Sequence, residues 1–238
     1  MTKEELDAIL NKMLREITII NTNWVMWKGL RDELQEGSEY NKLLEYSPCF
    51  WTITLNNLLS KALLGTAKLY DENKDSLGLK RLINKCEQNQ GLFSKSCTIE
   101  STDAYTGSSD TFTNSNNISD DIMMLREKYE SVQTYREQLM TLRDQHLAHM
   151  DKKYFLNDSD LYSKVALKKD SFEALVKTAG EIANCLLLNL SDTFIPIEYD
   201  NSDDYEILLH YIKEGKEAYL QKIRSKQTTY LREAKTNE

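Results

Sequence analysis

The stretch KEELDAILNKMLREITIINTNWVMWKGLRDEL, from Lys3 to Leu34, decides the fold class. Its apolar residues step by four and three through Leu6, Leu10, Met13, Ile17, Ile20, Trp24 and Trp27, with Arg31 on the same line before Leu34. That is the period of one face of an α-helix. Thr2 and Glu5 form a capping box at its start, and Gly37 stands where a glycine closes a helix. At 1.5 Å per residue, Leu6 to Leu34 spans roughly 42 Å. An apolar stripe of that length needs several covering partners, so a helical bundle is expected.

The same grammar recurs along the chain. Ser47-Pro48 reads as cap and first helical residue of a segment to Tyr70 whose apolar residues, among them Phe50, Trp51, Ile53, Leu58, Leu63 and Ala67, lie on more than one side. This segment is expected to be the central, most buried helix. A short helix from Ser76 to about Gln88 follows. Ser119 is read as the cap of a helix with the seam Ile122, Leu125, Tyr129, Val132, Arg136, Leu139, Arg143, His146 and Met150. Asp170 with Glu173 opens a helix through Phe172, Leu175, Ala179, Ile182, Leu186 and Leu190, and Ser202 opens a last one. The fold expected is an all-α, up-and-down bundle of five to six helices, a single domain over 1–238, with no sheet.

Composition agrees with this reading. With 8 glycines and 2 prolines in 238 residues, the chain lacks the turns that a sandwich or barrel of many short strands needs. No apolar run approaches the ~18 residues of a membrane span. The N-terminus lacks the apolar block of a secretory signal, so a cytoplasmic protein with no membrane partner is expected. Cys49, Cys86, Cys97 and Cys185 contain no C-x-x-C pair, and Cys49 and Cys185 lie in apolar runs, which predicts buried thiols and neither disulfides nor a cysteine metal site. Between Ser101 and Asp120, 16 of 20 residues are Ser, Thr, Asn, Asp or Gly. Such a stretch buries too little to offset the entropy of ordering it, so about 89–117 is read as a flexible insertion.

Phosphate-binding glycine loops, G-x-S-x-G and H-E-x-x-H are all absent, and His210 is isolated. Neither a cofactor nor a metal is expected. The dense polar constellation is RDQHLAHMDKK, from Arg143 to Lys153. It joins a permanent cation able to fork onto phosphate oxygens, two imidazoles that exchange protons near neutral pH, and carboxylates that orient them. These parts suit cleavage of RNA: an imidazole deprotonates the ribose 2′-hydroxyl and the arginine stabilises charge gathering on phosphorus. On a helix of about 100° per residue, Arg143 lies about 60° from His146 and about 120° from His149, so one helix closes no site. A groove needs either a helix end near His149 or, as the favoured arrangement, a second copy of the helix so that two Arg/His sets face each other. The plainer alternative is that Arg143 pairs with Glu137 or Asp144 and the histidines are ordinary helix residues.

RDQHLAHMDKK, preceded by YSPCFWTITLNNLLSKALLGTAKLYD and followed by SFEALVKTAGEIANCLL, resembles the abortive-infection AbiU-type branch of the HEPN superfamily, whose signature is R-x(4–6)-H with a polar residue after the arginine. The likeness runs from about Tyr40 to Leu190. It implies a helical bundle, a homodimer that apposes the motif helices, metal-independent endoribonuclease activity, and a toxin-like role in antiviral defence, with RNA as substrate and an antitoxin or companion defence protein as a possible partner. By position, Arg143 becomes the phosphate-binding residue, His149 the acid–base residue, Asp144 the polar residue after the arginine, and His146 an auxiliary one. HEPN toxins silenced by nucleotide transfer carry a tyrosine two residues after the histidine. That position is Asp151 here, and the nearest tyrosine, Tyr154, does not match.

Net charge is −8, which disfavours a polyanion. Two stretches run against it: five lysines against two acids over Lys152–Lys169, and seven basic residues against three acids over Lys213–Lys235. Besides an endoribonuclease, the sequence admits a non-catalytic helical interaction module, or an inactive nucleic-acid binder.

Overall fold

The computed structural model describes residues 1–35, 37–38, 40–93, 97–99, 112–114, 117–144, 167–197 and 204–236. The architecture is helical: α1 (Lys3–Glu33), α2 (Leu43–Tyr46), α3 (Pro48–Leu69), α4 (Leu79–Gln88), α5 (Ile118–Ser131), α6 (Gln133–Leu142), α7 (Lys169–Ser191) and α8 (Asp204–Thr236). Among the described residues, no helix is long and apolar enough to cross a membrane. The described chain divides into two compact units, one of residues 1–24 and 57–199, the other of 25–56 and 200–238.

In the first unit, α1 begins as its capping box requires: the Thr2 amide donates to Glu5 at 2.8 Å and the Glu5 amide to Thr2 Oγ1 at 3.2 Å. Its predicted stripe is inward, with Leu6, Leu10, Ile17 and Ile20 almost completely buried. Trp24 stacks on Phe172 at 4.3 Å and donates its indole N–H to Glu173 at 3.0 Å. Glu173 thus partners a distant tryptophan, and Lys168, which makes no side-chain cap, precedes α7.

The most buried helix is α7, which corrects the expectation for α3. From Ser171 to Leu190 fifteen of twenty α7 residues are buried and none is exposed, because α4, α5 and α6 all pack on it. Gly180 lets Ile197 lie directly on the helix backbone, where any side chain would overlap the isoleucine. Asn184 clamps the returning chain through both of its amide groups, at 2.9 and 3.0 Å to the Ile195 backbone. Asp192, at φ 58°, ends α7 in the left-handed conformation. In α3, by contrast, Phe50 and Ile53 are each 54% exposed, and Cys49 is exposed rather than buried. In its first half Trp51 is buried, whereas the second half buries Ala62, Leu63, Thr66 and Ala67. Cys86 and Cys185 are buried, and burial raises the Cys86 thiol to about 12.

Two further local differences have simple causes. A short antiparallel ribbon pairs β1 (Cys97–Ile99) with β2 (Phe112–Asn114), within the segment read as an insertion without sheet. The apolar Ile99 and Phe112, opposite each other in it, are exceptions to that segment's polar composition, and β1 packs on α5 and α7. The cap of α5 is Asn117, whose side chain accepts the Ser119 amide at 3.0 Å, so Ser119 sits two residues too late to cap.

In the second unit, Leu30, Leu34, Leu43, Trp51 and Leu209 form the buried set, and the Trp51 indole donates to the Leu43 carbonyl at 3.2 Å. Gly29 admits the Tyr205 ring against α1. Here Trp27 and Arg31 leave the buried line, which passes to Leu30, and the Arg31 guanidinium lies 4.7 Å over the Trp27 ring. Gly37 has a positive φ of 96°, but in the turn after α1 rather than at the helix end itself.

Candidate functional site

The seam of Leu125, Tyr129, Val132, Arg136, Leu139 and Arg143 is carried by two helices, α5 and α6, with the break at Val132. The line survives the break: Leu125, Tyr129, Val132, Arg136 and Leu139 are all buried. Arg136, Met140 and Arg143 then follow each other on one face of α6 and its continuation, and line a cavity of 460 Å³.

Opposite them is the loop after α3. Tyr70, buried at the end of that helix, donates its hydroxyl to the Leu175 carbonyl at 2.7 Å and so anchors the loop to α7. Desolvation there holds the Tyr70 phenol well above its ordinary range. Gly78 lies against the carbonyl oxygens of Leu69 and Asp71, where a side chain would force the loop away. Ser76 closes the turn by donating to the Asp71 and Asn73 carbonyls. Asp71 and Glu72 are thereby held facing α6.

Arg136 is deeply embedded. Its guanidinium donates to Glu72 at 2.9 Å and to Glu130 at 2.8 Å, and lies 3.9 Å over the Tyr129 ring; its side chain is 9% exposed. Glu72 also accepts from Lys80 at 2.7 Å and from the Tyr129 hydroxyl at 3.0 Å. These hydrogen bonds, Lys80's above all, hold the Glu72 carboxyl below its usual range against a smaller opposing effect of burial. Desolvation, in turn, pushes the Tyr129 phenol up.

Arg143 lies at the far end of the same cavity. Its Nε donates to Asp144 at 2.6 Å, its NH1 is 3.8 Å from Asp71, and its side chain is 27% exposed. Asp144 is the main reason that its guanidinium holds its proton more tightly than usual. Of the two carboxylates that the sequence offered to Arg143, the structure uses Asp144, while Glu137 accepts from Gln133 at 2.8 Å.

Arg143 thus lines the cavity and holds Asp144, its neighbour in sequence. His146 and His149 lie outside the described residues. His210 is exposed on α8. The sequence reading did not find Asp71 and Glu72. Their only signal is indirect: a buried arginine requires a carboxylate, and the chain offers 38 acids without saying which. Arg136, although it stands on the buried seam, is neutralised within the chain by Glu72 and Glu130 and covered by the Tyr129 ring, and its buried Nε has no hydrogen-bond partner among the described residues. Among the described residues, no group of three His, Cys, Asp or Glu side chains is arranged to hold a metal ion.

Chemically, the cavity offers a fork-shaped cation at its rim, available to an anion that displaces or adds to Asp144. No curated protein and no solved structure matches the chain. Residues 3–208 match the family HEPN_AbiU2, described as AbiU2. That match covers most of the chain, including every residue of the cavity and the whole RDQHLAHMDKK string, and the protein belongs to this HEPN-type abortive-infection AbiU2 family.

Proposed function

We propose that the protein is an RNA-cleaving effector of abortive infection, a toxin-like endoribonuclease that needs no metal and works as a homodimer. Arg143 and His149 share a groove completed by the second copy. The observation that carries this reading is the state of Arg143: a guanidinium 27% exposed at the rim of a 460 Å³ cavity, preorganised by Asp144.

His149 takes the proton of a ribose 2′-hydroxyl, and the 2′-oxygen attacks the adjacent phosphorus. The bond from phosphorus to the 5′-oxygen breaks, and an imidazolium returns a proton to that oxygen, leaving a 2′,3′-cyclic phosphate and a 5′-hydroxyl. Arg143 stabilises the charge that builds on the phosphoryl oxygens, and Asp144 keeps its guanidinium oriented. His146 supports the groove rather than the proton transfer.

The test is incubation of the purified protein with mixed RNAs, with and without EDTA, beside His149→Ala and Arg143→Ala. Cleavage that persists in EDTA, spares DNA and 2′-deoxy-substituted RNA, and falls by ~10²–10⁴-fold in His149→Ala is the expected result. Undiminished cleavage in both variants overturns it.

The carboxylates beside Arg143, Asp144 at 2.6 Å and Asp71 at 3.8 Å, favour a second reading, in which the same residues make a polar contact in a non-catalytic interaction module. Absence of cleavage of any RNA, with a change of assembly in Arg143→Ala, selects this second reading.

A further inference from the structure

A second cavity, of 690 Å³, lies along α1 and the second half of α3. The α1 wall runs from Ile9 to Ile20, about three turns or ~16 Å. Gly65 of α3 lies against the Ile20 side chain, which brings the two helices close at the floor. The lining is mainly apolar, and Ile19 and Leu77 are 44% and 40% exposed at its edge.

The charge is uneven between the walls. The α1 wall carries both Lys12 and Glu16, the α3 wall carries Lys61 and Lys68 with no acid beside them, and Asp71 stands where the loop after α3 closes the end. All three lysines are exposed, and among the described residues none of them has a carboxylate partner, whereas Lys80 and Lys128 are each paired at 2.7 Å. In a chain of net charge −8, the lining thus holds three lysines against two acids, with the cationic excess along α3. Lys61 and Lys68 are seven residues apart, or ~10.5 Å along the helix. A single anionic headgroup cannot reach both and Lys12 on the opposite wall. Carboxylates seven residues apart on the flank of a docked helix repeat the same ~10.5 Å spacing, beside a separate apolar stripe with the i, i+3, i+4 and i+7 period.

We propose that this groove docks an acidic amphipathic helix of a partner protein, its apolar face on the floor and its carboxylates against Lys12, Lys61 and Lys68. Asp71 lines both cavities, so the end of the groove is one side chain away from Arg143.

A displayed library of amphipathic helices, with fixed apolar anchors and randomised flanking positions, selected on the intact protein, tests this. The enriched helices are expected to carry Asp or Glu at the flanks and to bind more weakly as ionic strength rises. Lys61→Glu/Lys68→Glu and, separately, Ile19→Asp are each expected to weaken binding roughly tenfold or more with melting unchanged. Should the double charge reversal disturb folding, Lys61→Gln/Lys68→Gln serves in its place. No enrichment, enrichment without acidic bias, or binding indifferent to these variants overturns the proposal. So does binding of oleate that is lost in the same variants, which assigns the groove to a small amphiphile. A homodimer split by Ile19→Asp assigns it to a second copy and equally overturns the partner helix.

Discussion

Arg136 and Arg143 stand seven residues apart on one helical line, and the sequence presents both as the same anomaly, a cation where a bundle seam calls for leucine. Their surroundings differ. Arg136, 9% exposed, is held by two carboxylates and a tyrosine ring; Arg143, 27% exposed, has one close carboxylate, on its own neighbour in sequence. One face of one cavity thus runs from an arginine enclosed by its partners to an accessible one. Periodicity assigns a residue its direction, and only the partners that arrive from elsewhere decide whether a buried charge is used up in holding the fold.

The largest expected effect is on stability. Arg136→Ala leaves Glu130 without its cation and Glu72 with Lys80 alone, and opens a hole against Tyr129; because both carboxylates are about half exposed, the cost is at the low end of that for breaking a buried pair, about 3 kcal/mol. In a chain of this size that lowers the melting temperature by ~6–12 °C. Urea denaturation of Arg136→Ala and Arg143→Ala side by side checks it, and equal midpoints would break the comparison.

Arg143→Ala is expected to show the converse pattern. Loss of charge stabilisation reduces RNA cleavage by ~10²–10³-fold, while stability changes by less than about 1 kcal/mol, the ordinary range for a partly exposed pair. A variant that is fully active yet unstable would exchange the roles assigned to the two arginines.

Tyr129→Phe sharpens the account of Arg136. The ring under the guanidinium remains and only the 3.0 Å hydrogen bond to Glu72 is lost, so about 1 kcal/mol is expected. A loss as large as that of Arg136→Ala would mean that the hydroxyl, rather than the cation, organises the loop after α3.

The smallest effect is with pH. Because Glu72 titrates below its ordinary value of 4.5 in the fold, its contribution is complete above that value and disappears as pH falls through the lower, folded-state value. Melting followed from pH 6 downward should therefore show a steeper loss in the wild type than in Glu72→Gln. Parallel curves would show that Glu72 is not the acid-sensitive link.

Much of the architecture was legible in the chain. The stripe Leu6–Ile20 and the α7 line from Phe172 to Leu190 carry a period that only a helix satisfies and are buried as read, and the capping box at Thr2 and Glu5 forms at the exposed start of α1. Apolar content alone places α3 above α7, but content does not fix burial: Phe50 and Ile53 are as hydrophobic as any residue of α7 yet face outward. For the site, Arg143 and Asp144 were legible because adjacent residues need no tertiary information to meet. Asp71 and Glu72 were not, since 64 residues separate Glu72 from the arginine it binds.

The sequence by itself determined the helices, their inward stripes and the one dense string of ionisable groups, because each is encoded by neighbours within a turn or two. The tertiary structure alone decided which carboxylates meet which cations: it brings the loop after α3 onto α6, anchored by Tyr70 on α7, and so occupies Arg136 and leaves Arg143 at the rim. The physical reason is that a charge pair depends on distances of a few ångströms between segments far apart in the chain, and those distances exist only once the apolar faces have packed.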